Sequence, residues 1–288
     1  MVKPAPKKST KVTKEKIEDA VSLINKAQKN MQKGMFDEAI KNFQAMLAIN
    51  RDYAPAHFGL GLAYNEKGDT KNSIKELKAA IKLDPKSVEP RTSLALVYLN
   101  EEKPRDAERE LAEAVKVDKK DTESRFYLAN VYFMNGKNDE AVATLRESLK
   151  IDPTFADARY NLGIWYLETG ERSKAIKELS QVLEQDPDDL DARRNLAKAY
   201  IGQEKYDLAK EQLDIVLLES ADDLEARELM DDLDKEERAE KKAAKSKPTI
   251  KSIKGKAVKK AEKPKARTTK AKAVMKVTKP KPKPKSKK

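Results

Sequence analysis

The sequence has no cysteine, a single histidine, one tryptophan and only nine glycines in 288 residues. Without cysteine there is no disulfide framework, no thiolate zinc site and no cysteine nucleophile, and the chain suits a reducing compartment. The lone His57 leaves nucleophile–base pairs and histidine metal clusters without members. No Gly-x4-Gly-Lys-Ser/Thr loop occurs, and Gly59-Leu-Gly61 falls inside a helical pattern, so it is not a dinucleotide fingerprint. Catalysis, a cofactor and a bound metal are therefore not expected. No apolar run approaches the ~18 residues of a transmembrane helix. The basic stretch 1–13 is followed by no apolar core of a secretory signal. The expected location is the cytoplasm, with association to a nucleoid or nucleus possible only through the basic tail.

Charge is abundant but segregated. Residues 1–16 carry six lysines against Glu15, or +5. Residues 241–288 carry twenty lysines and Arg267 against Glu262, or +20. The total of +12 thus leaves −13 for residues 17–240. An acidic body between two basic arms is a statement about partners and solubility.

The body repeats every 34 residues from Ala20, giving 20–53, 54–87, 88–121, 122–155, 156–189 and 190–223 with no insertion. The seventh column holds Leu60, Leu94, Leu128, Leu162 and Leu196 in repeats two to six, and the eleventh holds Tyr64, Tyr98, Tyr132, Tyr166 and Tyr200. The eighth is always small, from Ala27 and Gly61 to Gly163 and Ala197. The twentieth is small and the twenty-fourth large, as in Ala175 and Leu179. Steps of three and four residues place these on one helical face. Gly34, Gly68, Gly136 and Gly170 mark a turn within the repeat, where a left-handed cap suits glycine. Asp84-Pro85, Asp152-Pro153 and Asp186-Pro187 end the second helix, because proline cannot continue it.

This pattern resembles the tetratricopeptide repeat (TPR) family. The likeness rests on the 34-residue length, the Leu-small-x-x-Tyr segment, the mid-repeat alanine and the terminal proline. Lys26 and Asn30 depart from it in the first repeat, and Arg51, Lys119 and Ala221 replace the proline. The resemblance implies an all-α, right-handed α-solenoid of six helix-turn-helix repeats. Residues 224–243 are expected to form a capping helix, closing a solenoid of 17–243 between a disordered basic arm, 1–16, and a disordered lysine-rich tail, 244–288.

The resemblance also implies a concave groove lined by positions 2, 5, 9, 12 and 13 of each first helix. The candidate groove residues are Phe58 and Leu62, Leu96 and Leu99, Phe126, Asn130, Phe133 and Met134, and Tyr160, Ile164 and Leu167. Such an apolar stripe either buries one face of a peptide or helix, or fills gaps between adjacent helices. The family's Lys/Asn/Arg clamp for a terminal carboxylate is not matched: Phe58, Glu123, Asp157 and Asp191 stand in its basic places. A further column holds His57, Arg91, Arg125, Arg159, Arg193 and Arg227. It reads as a ladder for a polyanion, or as arginines lying along the tyrosine of the same helix and paired with carboxylates of a neighbouring repeat.

The tail is composed of Lys, Ala, Pro, Ser and Thr and is similar in composition to linker-histone tails. Lys259, Lys260, Lys279, Lys281, Lys283 and Lys285 are the candidate polyanion contacts. Such a segment binds by counterion release and, lacking interleaved aromatics, does not stack on bases. DNA, RNA, an anionic surface and the acidic body itself are candidate partners, and a merely solubilising tail is the bland alternative. The sequence as a whole points to a protein-binding scaffold, with a nucleic-acid-associated protein and a self-associating array as alternatives.

Overall fold

The structure, a computed structural model, describes residues 14–246. Most of the basic arm and the tail lysines from Lys259 to Lys285 lie outside the described residues. Thirteen helices are present among the described residues, with no strand. They are α1 (Lys14–Gln32), α2 (Phe36–Ile49), α3 (Ala54–Glu66), α4 (Thr70–Leu83), α5 (Glu89–Asn100), α6 (Pro104–Val117) and α7 (Thr122–Met134). Then follow α8 (Asn138–Ile151), α9 (Ala156–Glu168), α10 (Arg172–Gln185), α11 (Leu190–Ile201), α12 (Tyr206–Glu219) and α13 (Leu224–Ser246). α1 begins at Lys14, so three residues assigned to the basic arm are helical. α13 outruns the expected cap at 243 by three residues.

The chain divides into two compact units between Thr144 and Leu145, inside α8. In the first, each helix from α1 to α7 packs on the next; in the second the same holds from α9 to α13. The periodic columns supply both interiors. Ala39, Ser73, Ala107 and Ala141 are fully buried in the first unit, as are Ala175 and Ala209 in the second. Phe43, Leu77 and Leu111, then Leu145, Leu179 and Leu213, are buried in the column four residues on. Each such leucine removes enough apolar surface from water to contribute ~1.5–3 kcal/mol. No single helix pair could do this alone, so stability accumulates between neighbours.

The turns are set by three local devices. The first is a left-handed residue after the first helix: Gly34, Gly68, Gly136 and Gly170 have φ between 71° and 77°. In repeats three and six the same place is taken by Glu102 (φ 56°) and Glu204 (φ 62°). The chain then closes back on the tyrosine column: Asp69, Lys103, Lys137 and Lys205 donate their amides to the carbonyls of Tyr64, Tyr98, Tyr132 and Tyr200. The second device ends the second helix. Asp84, Asp152 and Asp186 each accept from the amide two residues on, at 3.1, 2.8 and 3.2 Å. Asn50 and Asp118 do the same at 3.1 and 2.8 Å in repeats one and three, two of the three that lack proline. The side-chain turn, more than the proline, is therefore the common stop signal. The third is the N-cap: Asp121, Asp189 and Asp223 accept from Ser124, Ala192 and Ala226 amides, satisfying donors that the first turn leaves open.

A left-handed non-glycine residue costs ~1–2 kcal/mol, against ~0.5–1 kcal/mol of extra chain entropy for glycine. Glu102→Gly and Glu204→Gly are each expected to stabilise by ~0.5–1 kcal/mol, measured as a higher urea midpoint. A fall in midpoint for both would show that these turns are held by their glutamates.

The arginine column is a clasp inside the repeat. His57 Nδ1 meets Glu76 Oε2 at 2.7 Å, Arg91 meets Glu110 at 3.4 Å and Arg159 meets Glu178 at 2.9 Å. Arg193 donates to Gln212 at 3.1 Å. Every partner lies nineteen residues on, in the second helix of the same repeat. The other hand holds the preceding loop: His57, Arg159 and Arg193 each reach the carbonyl six residues back. Pairing with a neighbouring repeat is thus corrected: the clasp ties one helix to its own hairpin partner. The tyrosines are met from elsewhere. Gln44 donates to Tyr64 Oη at 3.1 Å, Lys78 sits 5.8 Å over the Tyr98 ring, and Arg146 Nε donates to Tyr166 Oη at 3.0 Å. These are residues twenty positions earlier, so they join one repeat to the next.

Candidate functional site

The candidate face is the set of first-helix side chains that the family resemblance places in a groove. In the first unit, α3 presents Phe58 and Leu62, α5 presents Leu96 and Leu99, and α7 presents Phe133, all half-buried. Met134 is 57% exposed. Exposed Glu66 and Glu89 and half-buried Glu123 border this surface. A flexible, polarisable methionine beside half-open leucine and phenylalanine side chains suits an apolar guest of loose shape.

Four of the eleven candidate groove residues are not open to a guest. Phe126, Asn130, Tyr160 and Ile164 are all 3% exposed or less. Phe126 packs edge-on against Tyr127, with ring centroids 5.5 Å apart. Tyr160 and Ile164 belong to a core with Leu179, Val182, Ala192 and Leu196, and half-buried Leu167 packs against it. Asn130 and Ile164 stand at position 9; for Phe126 and Tyr160 the cause is the reach of position 5. A side chain there meets the next repeat's first helix: Thr92 Oγ1 lies 2.8 Å from Ser124 Oγ, and Asn195 Nδ2 donates to Tyr160 Oη at 3.0 Å. For these four positions the side chain fills the gap between helices.

In the second unit the face turns polar toward α11 and α13. Half-buried Arg194 pairs with Asp191 and Asp223, and lies 2.7 Å from Glu225. Lys198 pairs with Glu225 at 2.5 Å and donates to Asn195 Oδ1 at 3.3 Å. Burial works against the charge of Arg194, but Asp223, Glu225 and Asp191 outweigh it and raise its pKa. Burial pushes the Tyr160 hydroxyl well above the usual phenol range, and Asp191 and Asp189 add to it. Tyr160 therefore stays protonated and holds its place between α9 and α11. With three carboxylates against two cations, this patch attracts no further acid.

Among the described residues no cluster of three or more His, Asp or Glu side chains could hold a metal ion. No described helix is long and apolar enough to cross a membrane. The sequence missed the role of position 5 as a joint, although its bulk in Phe126 and Tyr160 was the available signal.

Paired helices in 34-residue steps, a small-on-large interior and an open first-helix face define an all-α tetratricopeptide helical-repeat protein. The chain belongs to the family described as the cilia and flagella-associated protein 70 C-terminal domain, a TPR domain whose match spans residues 4–246. Solved structures share the fold. The chain matches YrrB, described as a TPR protein with an unusual peptide-binding site, at 19% identity over 66% of this chain and 97% of that one, with a TM-score of 0.57. A structure of MamA matches at 27% identity over 65% and 97%, with a TM-score of 0.51. PilF of Pseudomonas aeruginosa matches at 15% identity over 76% and 100%, with a TM-score of 0.66. No curated protein sequence matches the chain.

Proposed function

We propose that the protein is a non-catalytic scaffold that holds an apolar peptide or helix on the first-helix face, while its lysine-rich tail tethers the complex to a polyanion. The observation that carries the first half is the half-open stripe of Phe58, Leu62, Leu96, Leu99 and Phe133 with exposed Met134, bordered by Glu66, Glu89 and Glu123. An acidic border selects a guest with basic flanks around its apolar residues. The unusual peptide-binding site described for YrrB supports this use of a TPR scaffold. The charge of +20 over residues 241–288 supports the second half, since lysine-rich segments bind polyanions through counterion release.

The test is selection from a displayed peptide library on the full chain, followed by fluorescence anisotropy of the enriched peptides. Enriched sequences are expected to combine aliphatic or aromatic anchors with Lys or Arg. Leu99→Asp with Met134→Asp should weaken them ~30-fold or more, while Val117→Asp, at an exposed site on α6, should leave them unchanged. Equal binding by both variants would remove the proposed face. For the tail, a linear fall of log affinity for duplex DNA with log salt is expected in the full chain. A salt-independent affinity would remove the tether.

A further inference from the structure

α12 departs from the other second helices on its outer side. Leu208, Ile215 and Leu218 sit at columns where repeat three has Asp106, Glu113 and Lys116 and repeat four has Glu140, Glu147 and Lys150. Spacings of seven and three residues put the three on one helical face. Leu208 is 41% and Leu218 81% exposed, Ile215 is half-buried, and Leu224, across the turn, is 71% exposed. Single exposed leucines are ordinary, but no other repeat places an apolar residue larger than alanine at any of these three columns. Exposed Asp207, Glu211, Asp214 and Glu219 surround it. The one lysine of α12, Lys210, is occupied by Asp234 at 2.8 Å.

We propose that this acid-rimmed apolar stripe is the docking surface for residues 270–279 of the same chain, Lys-Ala-Lys-Ala-Val-Met-Lys-Val-Thr-Lys. The segment has the complementary composition: Val274, Met275 and Val277 for the leucines, and Lys270, Lys272, Lys276 and Lys279 for the carboxylates. Chain length permits it. The stripe runs from the start of α13, beside Leu218, to the level of Asp234, where Lys210 pairs with it, and the 23 residues of α13 rise ~35 Å in all. Residues 247–269 span up to about 75 Å when extended, enough to return. Ile250, Ile253 and Val258 stand apart in the tail, whereas Val274, Met275 and Val277 fall within four positions and form its densest apolar cluster. A second copy on the same stripe would set Glu211 and Asp214 against their own equivalents. A tethered segment acts at an effective concentration near millimolar, above that of a free peptide of equal fit. The stripe lies on α12 and is independent of the face on α3, α5 and α7.

The absence of native cysteine makes the test direct. In the full chain, Ala221→Cys and Thr278→Cys carry a nitroxide pair for pulsed-dipolar distance measurement. Because ten residues extend no more than about 33 Å, a docked segment holds a population within roughly 35 Å. That population is expected to survive spin dilution with unlabelled protein. It should fall ~tenfold with Leu208→Asp and Leu218→Asp together, and equally with Val274→Asp and Val277→Asp together. Circular dichroism confirms folding of the first pair, and the second lies outside α1–α13. The proposal is overturned if no short population is present, if it persists in both double variants, or if dilution with unlabelled chain removes it, which assigns the segment to another copy.

Discussion

Gly59→Ala will destabilise the first unit by ~2–3 kcal/mol, and Phe43→Leu in the same chain will restore most of the loss. A methyl carbon at Gly59 falls 2.3 Å from the Phe43 ring, well inside van der Waals contact. The ring cannot retreat, because Phe43 is 4% exposed and packed with Ile40, Met46, Ala56 and Leu60. Overpacking of this kind costs ~1–3 kcal/mol, at the upper end where the neighbour is rigid. Phe43 is also the only aromatic in its column; the other five repeats have leucine there. The missing side chain of Gly59 and the extra bulk of Phe43 are therefore two halves of one fit. Urea unfolding of the single and double variants measures the coupling. Additive losses would show that ring and glycine are independent, and would refute the account.

The second large effect concerns the intrarepeat clasp. Arg159 and Glu178 have side chains 12% and 14% exposed. Removing one charge strands the other in a poorly hydrated place, which in buried pairs costs ~3–5 kcal/mol. Partial exposure lowers this, so Glu178→Ala is expected to cost ~2–3 kcal/mol. Arg159→Met with Glu178→Leu should cost less than Glu178→Ala alone, because no charge is stranded. Repeat four supplies the converse. Arg125 is 6% exposed and donates to the Asp121 carbonyl at 2.9 Å, but its column partner is Thr144, which cannot pair with it as a carboxylate would. Thr144→Glu should stabilise by ~1 kcal/mol, and Thr144→Gln, the solution of repeat six, by less. Chemical denaturation settles the order, and a destabilising Thr144→Glu would show that Arg125 has no need of the carboxylate.

The repeat register is legible in the sequence because a 34-residue period forces the same small-on-large pairing six times. The expected starts at 54, 122, 156, 190 and 224 coincide with α3, α7, α9, α11 and α13, and α5 begins one residue after 88. What the sequence hides is whatever depends on side-chain reach rather than on period. The family pattern puts position 5 in the groove, yet a ring there, as in Tyr160, extends to Asn195 of the following repeat and disappears from the surface. The partner of the arginine clasp is hidden because carboxylates two residues upstream are the conspicuous ones in the sequence. The Glu nineteen residues on belongs to a column that repeats one, four and six break with Asn42, Thr144 and Gln212. Glu102 and Glu204 give no sign of a left-handed turn, since only the column they share with four glycines implies it.

The joints described above connect near neighbours along the chain: the Tyr160–Asn195 bond, 35 residues apart, is among the widest side-chain links. A protein assembled from such short loops pays little closure entropy and folds quickly for its length. Its order can begin at any hairpin and spread to the next, and a nascent chain can complete several repeats while the remainder is still being synthesised.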